Sequence, residues 1–146
     1  MKSKTVATWL AILGGPFGLH RFYLYGWRDR IGWVLPWPSL LGILGVIRLR
    51  EFGVDDRASW LLIPLIGFSI AACALSAIVH GLTSADKWQA RFNPVSDVGA
   101  KEGNTTWLTV CGLVVALLIG STALMASLAF SFQHYFEYQM MQAKNG

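Results

Sequence analysis

Charge is absent from four stretches of the chain and crowded into the joints between them. Residues 5–19, 31–47, 59–83 and 106–132 contain no Asp, Glu, Lys or Arg. A helix crossing about 30 Å of hydrocarbon needs roughly 20 apolar residues, within a range of about 17–25. The last three stretches meet that length, and the first meets it when its helix extends toward Tyr23. The pattern predicts an all-α integral membrane protein with four transmembrane segments, at about residues 5–24, 31–47, 60–82 and 106–132. They pair as one helical hairpin within 2–50 and a second within 59–132, followed by a short tail, 133–146.

The first segment carries the strongest local signal. Gly14, Gly15 and Pro16 end any helix begun near Thr5, since proline lacks an amide hydrogen and disfavours helix in the residue before it. Ten or eleven residues of helix rise about 16 Å, half a bilayer. A short helix, a break and a second turn over Leu19–Leu24 follow as the expectation, and irregular backbone at that depth needs protein or water around it. Phe22, Tyr23, Tyr25 and Trp27 are placed as an interfacial aromatic belt. In the second segment, Pro36 and Pro38 predict a kink or a late helix start.

Small residues recur at helical spacing in the last two segments. Ser69, Cys73, Ala77 and Gly81 lie four apart, and Gly112, Ala116 and Gly120 answer at the same interval. Such stripes let helix backbones approach closely, which is how helices associate in lipid. Segments three and four are therefore expected to pack as an antiparallel hairpin. Within these stripes Cys73 reads as a small buried hydrophobe, as does Cys111 elsewhere on segment four. The polar link of residues 83–105 is expected to lay Trp88 and Phe92 on the membrane surface.

Composition agrees with the pattern: hydrophobic residues make up 54% and charged residues 14% of the 146, with a net charge of +4. About a quarter of an ordinary soluble domain is charged. Arg28, Arg30, Arg48, Arg50 and Arg57 flank apolar runs as headgroup anchors rather than forming a basic face, so no nucleic-acid partner is expected. The partners implied are the lipid bilayer and a membrane protein or further copies of the chain. Lys2 and Lys4 precede an apolar stretch without a small-residue cleavage site, which reads as an uncleaved first segment. Four spans would put both termini on one side, with six Lys or Arg on each side. Discounting Arg21 as partly intramembrane tips the termini toward the cytoplasm, in a multi-pass protein of the cell membrane.

The string Gly15-Pro16-Phe17-Gly18-Leu19-His20-Arg21-Phe22-Tyr23-Leu24, after Lys2-Ser3-Lys4-Thr5, resembles the TM2 domain family over about residues 2–50. The family pattern is a lysine-rich start, a short helix, a Gly-x-x-Gly-x-His-Arg-Phe-Tyr-Leu-Gly element and a second helix. Two positions depart from it: Tyr25 stands where glycine is usual, with Gly26 following, and the second helix ends on Arg48 and Arg50 rather than near an aspartate. The resemblance implies a membrane hairpin and leaves biochemical function open. Gly15, Gly18, His20, Arg21, Phe22 and Tyr23 are thereby the candidate lipid- or partner-contacting residues.

Arg21 has two readings. Its five fixed donors suit a lipid phosphate or a partner's carboxylate, and equally a structural clamp on the carbonyls freed by the Gly-Gly-Pro break, with Asp29 the nearest counterion. His20 reads as a neutral hydrogen-bonding anchor, and His80 is expected to bond across to segment four. Asp55 and Asp56 read as solvated turn residues. No nucleophile–base pair, zinc spacing, phosphate loop or cofactor motif appears, so no catalytic residue is assigned and no enzyme is expected. The leading expectation is a non-enzymatic structural or interaction protein. The alternative is a small oligomeric transporter or channel whose broken first segment and Pro36/Pro38 kink line a polar path.

Overall fold

The structure, a computed structural model, describes residues 1–95 and 101–145. Residues 96–100 of the polar link, Asp97 among them, and the final Gly146 lie outside the described residues. The described residues are helical with no strand: α1 (Lys4–Leu13), a 3-10 turn (Gly15–Phe17), α2 (Leu19–Tyr25), α3 (Arg30–Val34), α4 (Pro36–Phe52), α5 (Arg57–Leu62), α6 (Pro64–Leu82), α7 (Ala85–Phe92), a second 3-10 turn (Lys101–Gly103) and α8 (Trp107–Asn145).

Two prolines explain why four of these helices form two long rods. Leu35 and Ile63, the residues before Pro36 and Pro64, keep right-handed helical angles, so α3 runs into α4 and α5 into α6. Each proline removes one donor and loosens the rod without ending it. Three helical stretches, Arg30–Phe52, Arg57–Leu82 and Lys101–Asn145, are long and apolar enough to cross a membrane. Their outer faces carry large apolar side chains in the open, among them Leu40, Leu44, Val79, Val114, Leu117 and Leu118. An apolar surface running over every long helix suits lipid and would be a liability in water.

The first segment behaves differently from the other three. α1 is ten residues long, about 15 Å at the usual rise. Gly14–Gly18 then turns the chain, and α2 comes back beside α1. Ser3 N donates to the Tyr23 hydroxyl at 2.9 Å, and Lys2 Nζ donates to the carbonyl of Leu24. The start of the chain and the end of α2 thus lie at the same level, while Gly15 at the tip packs on Cys73, midway along α6. The break is where Gly-Gly-Pro requires it, and the chain turns back there rather than running on in one direction. One consequence follows for the termini. The N-terminus sits with the end of α6 and the start of α8, since Lys4 Nζ reaches Thr83 O and Thr105 Oγ1. The other end of α8 sits with the start of α5, where the Arg57 guanidinium lies over the Tyr138 ring. The two termini are at opposite ends of the bundle, not on one side.

The seam of the bundle is built from alanines and glycines. Ala11, Ala74, Ala77 and Ala116 form one buried cluster, and Ala7, Leu24 and Trp88 a second. α6 and α8 run antiparallel: Gly67 meets Ser127, Ala74 meets Gly120, and Gly81 meets Leu113. Ser69, Cys73, Ala77 and Gly81 are all buried, as are Gly112, Ala116 and Gly120. The stripes serve more than each other, however. Cys73 receives Gly15, and Gly112 faces Thr8 and Trp9 of α1. The hairpin α1–α2 therefore docks into the α6–α8 pair.

Two further expectations change. Trp88 is not laid on the membrane surface: it is fully buried, its indole donating to Lys2 O at 2.8 Å. Residues 133–145 are not a separate tail, because α8 continues through them to Asn145.

Candidate functional site

The residues of the His20-Arg21-Phe22-Tyr23 string lie on one short helix and point four ways. Gly18 makes this possible. Its φ of 76° is in the left-handed region, which glycine enters without a Cβ penalty, and a Cβ there would strike the carbonyl of Gly32. Pro36 has already removed the amide that would have closed on that carbonyl. α2 can thus start in close contact with α3.

His20 is buried, its ring edge-on to His80 with centroids 6.0 Å apart. Arg21 turns toward Asp29, Nε at 2.5 Å from Oδ2 and Nη2 at 3.3 Å from Oδ1. Its guanidinium lies 4.9 Å over the Tyr25 ring. Phe22 stacks on Trp27 and meets Trp33 edge-on, against Gly32. The Tyr23 hydroxyl accepts from Ser3 N. Gly15, the other candidate, is covered by Cys73. Arg21 thus pairs with Asp29, the counterion nearest to it in sequence. The guanidinium holds the aspartate that caps α3, rather than the carbonyls of the Gly-Gly-Pro break.

That aspartate does two jobs. Asp29 Oδ2 accepts from Gly32 N at 3.0 Å, capping α3, while Arg21 neutralises it. The Arg21 guanidinium beside Asp29 holds its carboxyl below the usual carboxylate range. Charge-assisted, two-pronged pairs of this kind are among the stronger polar contacts.

The same device occurs a second time. Arg21, Gly26, Asp29, Arg30 and Trp33 recur as Arg48, Gly53, Asp56, Arg57 and Trp60, each 27 positions later. Arg48 Nε and Nη2 donate to Asp56 at 3.0 and 3.1 Å, and Arg48 lies 4.9 Å over Phe52 as Arg21 does over Tyr25. Asp56 caps α5 by accepting from Ser59 N at 3.3 Å and Ser59 Oγ at 2.5 Å. The Trp33 indole donates to Trp27 O at 2.9 Å, and the Trp60 indole to Val54 O at 2.7 Å. Gly26 and Gly53 have nearly identical backbones, φ 81° with ψ 177° and φ 83° with ψ −176°. Asp56 is therefore not a solvated turn residue. Arg48, with Ser59, holds its carboxyl down to about 2. The sequence signal was available as the spacing Arg-x-x-x-aromatic-Gly-x-x-Asp-Arg-x-x-Trp, which appears in both turns.

Lys4 is also engaged. It is fully buried, with Nζ 2.9 Å from Thr83 O and 2.7 Å from Thr105 Oγ1. Thr5 joins Thr109 beside it at 2.8 Å. His80 does not bond across to α8: its Nδ1 lies 2.5 Å from Ser76 O in its own helix, and its ring meets Trp88. Among the described residues no group of three or more His, Cys, Asp or Glu is arranged to hold a metal ion. Chemically, the arrangement can brace two helix-to-helix turns and pin the chain's start to the bundle. Comparison with models of known protein families, with curated proteins and with solved structures finds no match for this chain.

Proposed function

We propose that the chain is a multi-pass membrane protein with three spans and a re-entrant N-terminal hairpin, acting as a non-enzymatic structural or interaction protein. The observation that carries this reading is the internal use of the motif. Arg21, Phe22 and Tyr23 each find a partner within the chain. His20 is buried edge-on to His80, its Nδ1 without a hydrogen bond where a hydrogen-bonding anchor was expected. The element thus serves to fix the hairpin. What faces outward is the apolar exterior of the long helices, with exposed arginines such as Arg30, Arg50 and Arg57 at their ends. The resemblance to the TM2 domain family over residues 2–50 fits this role, with α1–α2 and α3–α4 as its hairpin and α5–α8 added to it.

Charge supports an orientation. Lys2, Lys4, Arg21, Arg28, Arg30, Lys87, Arg91 and Lys101, eight of the twelve Lys and Arg, belong to the N-terminal end of the bundle. Arg48, Arg50, Arg57 and Lys144 belong to the other. Under the positive-inside rule the N-terminus is cytoplasmic and the C-terminus faces the opposite side. A transport path is less well supported, because the hairpin meets α6 and α8 through Ala11, Ala74, Ala77 and Ala116 rather than through acidic or amide groups.

The test uses single-cysteine variants, Ser3→Cys and Lys144→Cys, in a background with Cys73 and Cys111 replaced by alanine. On intact cells a membrane-impermeant maleimide should label position 144 alone, and position 3 only after permeabilisation. Labelling of both positions from one side rejects the three-span arrangement. For the role, Arg21→Ala should lower folded yield in membranes. Normal accumulation of that variant with loss of a binding phenotype would reverse the reading of Arg21.

A further inference from the structure

We propose that the groove between α5–α6 and the C-terminal half of α8 is a binding site for one anionic phospholipid, its phosphate on Arg57 and an acyl chain along the helix seam. The proposal rests on the membrane reading above.

The groove grades from wet to dry along its length. A cavity of about 460 Å³ is walled by Arg57, Trp60, Pro64, Phe68, His134 and Tyr138, with Leu61 and Leu65 between them. At its outer end Arg57 and Tyr138 also wall a more polar cavity of about 520 Å³ bordered by Gln142 and Asn145. At its inner end Phe68 is shared with an almost wholly apolar cavity of about 420 Å³ beside Leu75, Gly120 and Leu124. Leu61, Leu65, Phe68 and Leu75 lie at helical spacing along one rod, as do Gly120, Leu124, Ser131 and Tyr138 along the other, so the three cavities form one furrow. From Arg57 to Phe68 the rod rises about 16 Å, close to one leaflet's share of a hydrocarbon core about 30 Å thick.

Charge selects the occupant. Among the described residues Arg57 is the sole charged residue in the walls of the three cavities. Arg21 and Arg48 each hold an aspartate, whereas Arg57 makes no ion pair among the described residues. Asp56, its neighbour in sequence, is already taken by Arg48 and Ser59. Among the described residues the Arg57 guanidinium is placed only over Tyr138, at 5.1 Å. A planar guanidinium at the mouth of an apolar furrow matches a phosphate that carries a hydrocarbon tail. Trp60 and Tyr138 give the mouth the amphipathic rings suited to the headgroup level.

The experiment is native mass spectrometry of the full chain released from micelles, with palmitoyl-oleoyl phosphatidylglycerol or palmitoyl-oleoyl phosphatidylcholine added. The expected result is one retained phosphatidylglycerol per chain, held about fivefold more tightly than phosphatidylcholine. Arg57→Gln should abolish the preference, Arg57→Lys should keep part of it, and Leu65→Trp should weaken both lipids by filling the tail's place. Arg50→Gln, at the same end but outside the furrow, should change nothing, and millimolar inorganic phosphate should not displace the lipid. Equal retention of phosphatidylglycerol by the parent and Arg57→Gln overturns the proposal. So does an equal loss in Arg50→Gln, which would mean general surface charge, or a dimer that excludes lipid. Solubility without detergent would instead strike the membrane reading, so the two failures are distinguishable.

Discussion

Arg48 grips Asp56 through two N–H groups, and Asp56 in turn caps the helix that begins beside it. One carboxylate thus closes the end of α4 onto the start of α5. These two roles are separable by substitution. Asp56→Asn keeps a good capping side chain and removes the charge, whereas Asp56→Ala removes both. Thermal unfolding in detergent should rank the parent above Asp56→Asn and Asp56→Asn above Asp56→Ala. Arg48→Gln combined with Asp56→Asn should be little worse than either alone, because the two changes remove one shared interaction. Additive losses would mean that the pair contributes nothing jointly.

Acid should loosen both turns. Asp29 and Asp56 have carboxyls held below their ordinary range, Asp56 at about 2. A group depressed on folding contributes stability that is fully present above its unfolded value, about 3.9, and is lost as pH falls toward its folded value. Melting temperature should therefore be level from neutrality to about pH 4 and then fall toward pH 2. The double variant Asp29→Asn with Asp56→Asn should start lower and lose less over that interval. An equal acid loss in parent and variant would place the sensitive groups elsewhere.

Much of this architecture was legible because helices long and apolar enough to cross a membrane follow blunt rules. Charge-free runs announce long apolar helices, and Gly14-Gly15-Pro16 announces the end of α1. The direction taken after the break was not legible, since glycine and proline mark where a helix stops and not where the chain goes next. That direction is decided by contacts over distance, Ser3 with Tyr23 and Lys2 with Leu24. Trp88 was misplaced for a related reason: an interfacial tryptophan and one buried by the chain's first residues look alike in sequence. Asp56 was different, because the recurrence of Arg21 to Trp33 as Arg48 to Trp60 was visible in the residues. Adjacent carboxylates in a turn drew attention to local chemistry instead.

The two turn glycines offer a backbone test free of packing. Gly26 and Gly53 occupy positive-φ, extended-ψ angles, a region essentially reserved for glycine. A Cβ at either position would meet nothing within 4 Å. Gly53→Ala and Gly26→Ala should each cost about 1–3 kcal/mol through backbone strain alone, read from denaturation in mixed micelles. A neutral outcome at both would mean that the turns relax into another conformation, which would also break the Arg–Asp geometry.

The docking of the hairpin into α6 turns on Gly15 and Cys73, where a Cβ on Gly15 would collide with the cysteine's Cβ and Sγ. Small residues permit this approach, and in lipid such close packing is what holds helices together. Gly15→Val should push the hairpin off α6 at a cost of about 1–3 kcal/mol. Cys73, buried in the parent, should then react with N-ethylmaleimide much faster, while Cys111 on α8 keeps its rate. Gly15→Ala should produce a weaker form of the same effect, and combining it with Cys73→Gly should recover stability by exchanging the two volumes across the contact. If Gly15→Val leaves Cys73 as protected as before, the tip of the hairpin does not rest on α6, and the turned-back path of the first segment fails with it.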